Sequence, residues 1–190
     1  EVSETLEADT VLVFGAGVAG LLNIQLAKAY GAGKLIAVDI NEERLKAAKQ
    51  FGADFIVNAK DYTPDFLRQV NEGRLADSVI ICTAASSAAE LAFDSYEQGG
   101  KITFFATPEE NEKNQIEWYR HWRNGLTVQV TYGATPQSNY TAFSLIKNKI
   151  INVDDMITHR LPLERIAKGF ELATKGHGLK ILIKPQENGE

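Results

Sequence analysis

The sequence predicts an α/β fold: a doubly wound, six-stranded parallel sheet followed by a C-terminal helix–helix–strand appendage. Three observations carry this expectation. Short apolar, β-branched runs alternate with helical segments as far as residue 132; the first run ends in Gly15-Ala16-Gly17-Val18-Ala19-Gly20; and the second ends in an acid, Asp39. Alternation with connections this short implies parallel strands joined by right-handed crossovers.

The elements follow in order. Thr10–Phe14 (TVLVF) is an apolar run with no polar alternation, the pattern of a strand buried on both faces. Residues 18–30 place Leu22, Leu26 and Ala29 at helical spacing, and Gly31 stands where a helix stop is expected. Lys34–Asp39 is the second strand, and residues 42–51 form a helix closed by Gly52. Phe55–Asn58 is the third strand, and a helix follows Thr63-Pro64, where proline suits a first turn. Residues 78–83 (SVIICT) make the fourth strand. Ser87 and Glu90 have capping-box spacing for a helix running toward Gly99-Gly100. Residues 101–106 and 126–132 supply strands five and six, with a Trp-rich helical stretch between them. Residues 1–135 therefore form the sheet domain. Residues 136–190 add helices over 139–149 and 163–175 and a terminal strand over 179–184.

The composition is that of an ordinary globular protein, 44% apolar and 24% charged over 190 residues. A net charge of −5 argues against a nucleic-acid partner, because phosphate backbones require a concentrated positive field. No apolar run approaches the roughly 20 residues that span a bilayer, so no membrane role is expected. The single cysteine, Cys82, excludes an internal disulfide and any multi-cysteine metal site, and suits a reducing, cytoplasmic setting.

The glycine run fits G-x-G-x-x-G, a common pattern that gains meaning from its context. It follows a strand, opens a helix and is followed by an acid at the end of the next strand, the arrangement of a Rossmann dinucleotide site. Gly15 permits the tight turn, Gly17 lets the backbone approach a pyrophosphate, and Gly20 lets the helix pack close to the sheet. The amides of Val18, Ala19 and Gly20 open the helix, whose N-terminus carries about half a positive charge toward the phosphates. Asp39 can accept hydrogen bonds from both hydroxyls of an adenosine ribose and repels a 2′-phosphate, so NAD is expected over NADP. Arg44, five residues on, is read either as lining the ribose and adenine edge or as an ordinary surface arginine.

The runs VLVFGAGVAGLLNIQLAKAYGA, VDINEERLKAAKQFGAD, ITHRLPLERIAKGFELATKG and LKILIKP resemble the zinc-type, medium-chain alcohol dehydrogenase superfamily, in its polyol and threonine dehydrogenase-like branch. The likeness covers nearly the whole chain. It implies an oxidoreductase that oxidises a small alcohol or polyol by hydride transfer to NAD, with a catalytic zinc polarising the substrate oxygen. It further implies that Thr83, Ala84, Phe105, Thr107, Val130 and Tyr132 line the nicotinamide pocket and that Lys180 reaches toward the pyrophosphate. Relatives commonly associate through their cofactor domains, so a homo-oligomer is expected.

One departure matters. Such relatives carry their zinc ligands ahead of the Rossmann domain, whereas this chain starts almost at the first strand. Cys82 lies in a strand as a small apolar filler, and His121, His159 and His177 are isolated from one another. No catalytic residue and no metal ligand is therefore assigned. The chain is expected to bind NAD(H) without turnover on its own, with zinc confined to the missing catalytic domain. Two other readings stay open: a free-standing NAD(H)-binding sensor or assembly module, and a methyltransferase, which the six-strand order and the closing LKILIKP disfavour.

Overall fold

The computed structural model describes residues 8–112 and 115–185. The chain divides into two compact units, Glu1–Ala142 and Phe143–Glu190.

The first unit is built on a six-stranded parallel sheet. Its strands are β1 (Thr10–Phe14), β2 (Lys34–Asp39), β3 (Phe55–Asn58), β4 (Ala76–Ile81), β5 (Tyr96–Phe104) and β6 (Thr127–Val130), in the order β3-β2-β1-β4-β5-β6. The helices between them are α1 (Val18–Ala29), α2 (Glu42–Gln50), α3 (Pro64–Val70), α4 (Ser86–Asp94) and α5 (Trp118–Arg123). This is the doubly wound architecture that the sequence predicts. The order reverses between β1 and β4, so the crossovers leave in opposite directions and open a crevice at the carboxyl ends of those strands.

Strand side chains alternate between the faces. Leu12, Phe14, Ile36, Val38, Val79, Ile81 and Ile102 form one cluster with Leu67 of α3 and Ala88, Ala89, Ala92 and Phe93 of α4. Each fully buried aliphatic side chain contributes roughly 1.5–3 kcal/mol relative to exposure. Local signals set several helix starts. The Asn41 side chain accepts from the amides of Glu43 and Arg44 at the head of α2, and Thr63 Oγ1 accepts from Phe66 N ahead of Pro64.

Several boundaries differ from expectation. β4 begins at Ala76 and ends at Ile81, two residues earlier at each end than its sequence pattern suggests. The helix expected to run from Ser87 toward Gly99-Gly100 stops at Asp94, and its N-cap is Ala85, with no side-chain cap. β5 already begins at Tyr96, because Ala76 pairs with Tyr96 and the register then shifts before Ser78 meets Lys101. Backbone pairing with β4 thus claims residues whose glycines read as a helix stop. β6 is shorter than its apolar run, covering only Thr127–Val130.

α6 (Pro136–Lys147) contains the division between the units. The second unit continues through a 3-10 turn at Asp154–Met156 to β7 (Ile157–Pro162), then a 3-10 turn at Leu163–Arg165, α7 (Ile166–Thr174) and β8 (Lys180–Lys184). β7 and β8 pair in parallel. The appendage is therefore helix–strand–helix–strand rather than helix–helix–strand. α7 seats on this pair through Gly169, where a Cβ would come within 3.1 Å of Ile183 Cδ1. Ile166, Phe170, Ala173, Ile181 and Ile183 line an apolar groove of about 190 Å3.

Candidate functional site

The turn between β1 and α1 is tight for reasons of backbone contact. Gly15 adopts φ +92°, and a Cβ there would meet Cys82 O at 2.9 Å. At Gly20 a Cβ would lie 1.8 Å from Gly15 O, so the first turn of α1 presses directly on the end of β1. Gly17 differs: a Cβ there would meet nothing within 4 Å. Sterics within the chain therefore explain Gly15 and Gly20, and leave Gly17 facing open space. Gly17 is also the N-cap of α1 and supplies no side-chain cap, and the first turn holds no acidic residue. The leading amides of the helix, from Val18, Ala19 and Gly20, have no intrahelical partner and present a partial positive charge to that space.

Asp39 closes the other side of the turn. Its Oδ2 accepts from Ala16 N at 2.7 Å, and its Oδ1 accepts from Asn41 N at 2.8 Å. The residue is only 6% exposed. Each carboxylate oxygen retains a second lone pair, so the group can still accept a further hydrogen bond at either oxygen. Asn41 thus fixes Asp39 through its backbone and α2 through its side chain. The Asn-Glu-Glu run after an apolar strand is a recognisable cap signal that could have flagged it. Arg44, half-buried in the first turn of α2, keeps its Nε buried without a hydrogen bond.

The remaining expected contacts lie beyond the strand ends. Thr83 and Ala84 follow β4, Phe105 and Thr107 follow β5, Val130 ends β6 and Tyr132 lies just past it. Phe105, Val130 and Tyr132 are exposed large apolar side chains. All these positions and the glycine turn belong to the first unit, at the carboxyl ends of its strands. Lys180 opens β8 in the second unit.

Cys82 follows β4 directly rather than lying within it. Burial pushes its thiol up to about 12, opposed by a 3.5 Å hydrogen bond from Asn23 Nδ2. Asn23, itself in α1, also donates to Ala19 O one turn earlier and so ties Cys82 to the first turn of the helix, a link with no signal in the sequence. Among the described residues no group of three or more His, Cys, Asp or Glu side chains could hold a metal ion. The described donors therefore do not fit a catalytic zinc.

The sheet order and glycine turn together define a Rossmann domain. The chain belongs to the zinc-binding dehydrogenase family, whose family model matches residues 18–148. Sheep sorbitol dehydrogenase is 30% identical over 188 residues, covering 92% of this chain and 49% of that protein. The L-threonine 3-dehydrogenase of Bacillus subtilis is 33% identical over 182 residues, covering 93% and 51%. Among solved structures, an alcohol dehydrogenase from Thermotoga maritima superposes with a TM-score of 0.85 at 25% identity, covering 98% of this chain and 52% of its own. A zinc-binding dehydrogenase from Sinorhizobium meliloti bound to NADP shares the fold, with a TM-score of 0.87 at 24% identity and coverage of 96% and 54%. The chain spans about half the length of the curated relatives it matches.

Proposed function

We propose that this chain is the NAD(H)-binding part of a zinc-type alcohol or polyol dehydrogenase. Asp39 carries the reading: a buried carboxylate beside the glycine turn, with lone pairs left for ribose hydroxyls and a charge that disfavours a 2′-phosphate. The open space at Gly17 and the uncapped start of α1 suit a pyrophosphate. Arg44 borders the adenine end. Thr83, Ala84, Phe105, Thr107, Val130 and Tyr132 orient the nicotinamide and shield it from water. When bound, the nicotinamide accepts or returns the hydride. The relatives named sorbitol and L-threonine 3-dehydrogenase support an alcohol substrate. The chain alone binds the cofactor without turnover, because no described residues assemble a group that would activate the substrate oxygen.

Copies of the chain associate through β6. This strand lies at the edge of the sheet, and Val128 and Val130 on it and Tyr132 beyond it are exposed. No described helix is long and apolar enough to cross a membrane.

Calorimetric titration with NADH and NADPH tests the cofactor assignment. NADH is expected to bind more tightly, and equal or tighter binding of NADPH refutes it. Alcohol oxidation by the isolated chain would refute the claim of inactivity, and a monomer at every concentration in sedimentation would refute association.

A further inference from the structure

Helix α5 is held to the first unit by a chain of polar groups that the cofactor site does not use. His121 is the buried residue of this six-residue helix, at 4% exposure. Its Nδ1 lies 2.8 Å from Tyr96 Oη on β5, and Asn124 Nδ2, at the end of α5, donates to the same oxygen at 3.4 Å. Phe93 of α4 packs against the imidazole at a tilt of 50°, with ring centroids 5.0 Å apart. The direction of the chain follows from its donors. The Asn124 amide nitrogen can only donate, so Tyr96 oxygen accepts, and the Tyr96 proton is satisfied when it goes to Nδ1. The imidazole is then neutral, with its proton on Nε2.

We infer that the Asn124–Tyr96–His121 chain is a proton-sensitive latch that docks α5 on β5 and α4 while His121 is neutral and releases the helix when His121 is protonated. A proton on Nδ1 turns that atom from acceptor to donor. Tyr96 oxygen then receives two donors, and its own hydroxyl proton loses its acceptor at a site 4% exposed. The charged groups around the ring are Glu90 and Asp94 from α4, and Glu117 and Arg120 from the start and body of α5; these four and His121 line a cleft of about 240 Å3. Arg120 pairs with Asp94 at 2.6 Å, which neutralises one of the acids that would welcome an imidazolium. Burial first, then Arg120, hold the imidazole below its ordinary value of 6.5, against the pull of Asp94 and Glu117.

The readout is built into the helix. Both tryptophans of the chain, Trp118 and Trp122, lie on α5. Tryptophan emission is followed as the pH is lowered, alongside far-ultraviolet circular dichroism. The expected result is an emission step with its midpoint below 6.5, at unchanged overall secondary structure. Tyr96→Phe removes the hydroxyl that favours the neutral ring and is expected to move the midpoint up toward 6.5. His121→Gln is expected to abolish the step. A step that persists in His121→Gln, or the absence of any step before global unfolding, overturns the latch. Should that variant fail to fold, imidazole nitrogen NMR of the unaltered chain decides: the Nε2–H tautomer is expected, and an Nδ1–H tautomer overturns the proposal.

Discussion

Asp39 Oδ2 and the Ala16 amide meet at 2.7 Å, so the acid at the end of β2 holds the glycine turn in place before any ligand arrives. The acid and the loop geometry are thereby one unit. Asp39→Ala is expected to destabilise the chain by about 1–3 kcal/mol through the orphaned Ala16 amide, and to weaken NADH binding by a similar amount. Asp39→Asn keeps an acceptor for the Ala16 amide, gives up the one for the Asn41 amide and removes the charge, so it is expected to narrow the NADH-over-NADPH preference with a smaller loss of stability. Urea denaturation and calorimetric titration of both variants measure these effects.

Gly17 and Gly20 separate binding from folding. Gly20→Ala forces a methyl group into Gly15 O and is expected to cost about 3 kcal/mol or more of stability. Gly17→Ala meets no atom, and Gly17 has an ordinary φ of −71°, so stability is expected to stay within about 1 kcal/mol. Its new methyl group fills the space assigned to pyrophosphate, and NADH affinity is expected to fall at least tenfold, about 1.4 kcal/mol. Thermal melts with and without NADH compare the two.

Glu97 introduces a pH dependence at the opposite end of the sheet from the glycine turn. Its carboxylate accepts from Leu75 N at 2.9 Å and Gln98 N at 3.1 Å. Chiefly the Leu75 bond holds it below its ordinary value of 4.5, with Arg74 and Arg68 adding smaller pulls and partial burial opposing. A depressed carboxylate contributes stability above 4.5 that is lost as the pH falls through its folded value. The stability gap between the unaltered chain and Glu97→Gln is therefore expected to be full near neutral pH and to close in acid, in urea melts across that range.

Cys82 is expected to be a poor nucleophile. With its thiol raised from 9.0 to about 12, its thiolate fraction at neutral pH falls roughly a thousandfold. Labelling by a disulfide reagent should be slow in the folded chain and ordinary in urea. Fast labelling of the folded chain would contradict the burial described here.

The β1–turn–α1–β2 unit was legible because its signals are local: β-branched runs, glycines at forced backbone positions, and an acid where a strand ends. The β4–β5 region was not, since Gly99-Gly100 reads as a helix stop while Tyr96 is claimed by pairing with Ala76, twenty residues away in sequence. β7 escaped notice because ITHRLP alternates weakly and ends in proline, and it becomes a strand only beside β8. The candidate site divides in the same way. Gly15, Gly17, Gly20 and Asp39 carry a motif, whereas Asn23 and Cys82 are brought together only by folding. Outside that site the Tyr96–His121 pair is equally a product of folding.

The strand order also sets a timetable for folding. Every contact in the main sheet is parallel, so no hairpin can seed it. Of the two neighbours of β1, β2 is the nearer in sequence, Thr10 pairing with Lys34 around α1, whereas β1 reaches β4 only across the far longer stretch between Val11 and Ser78. β1 is therefore expected to pair with β2, closing the piece that contains the glycine turn and Asp39, before it pairs with β4. The proposed nucleotide cradle would then form before the crevice it opens onto has a second wall.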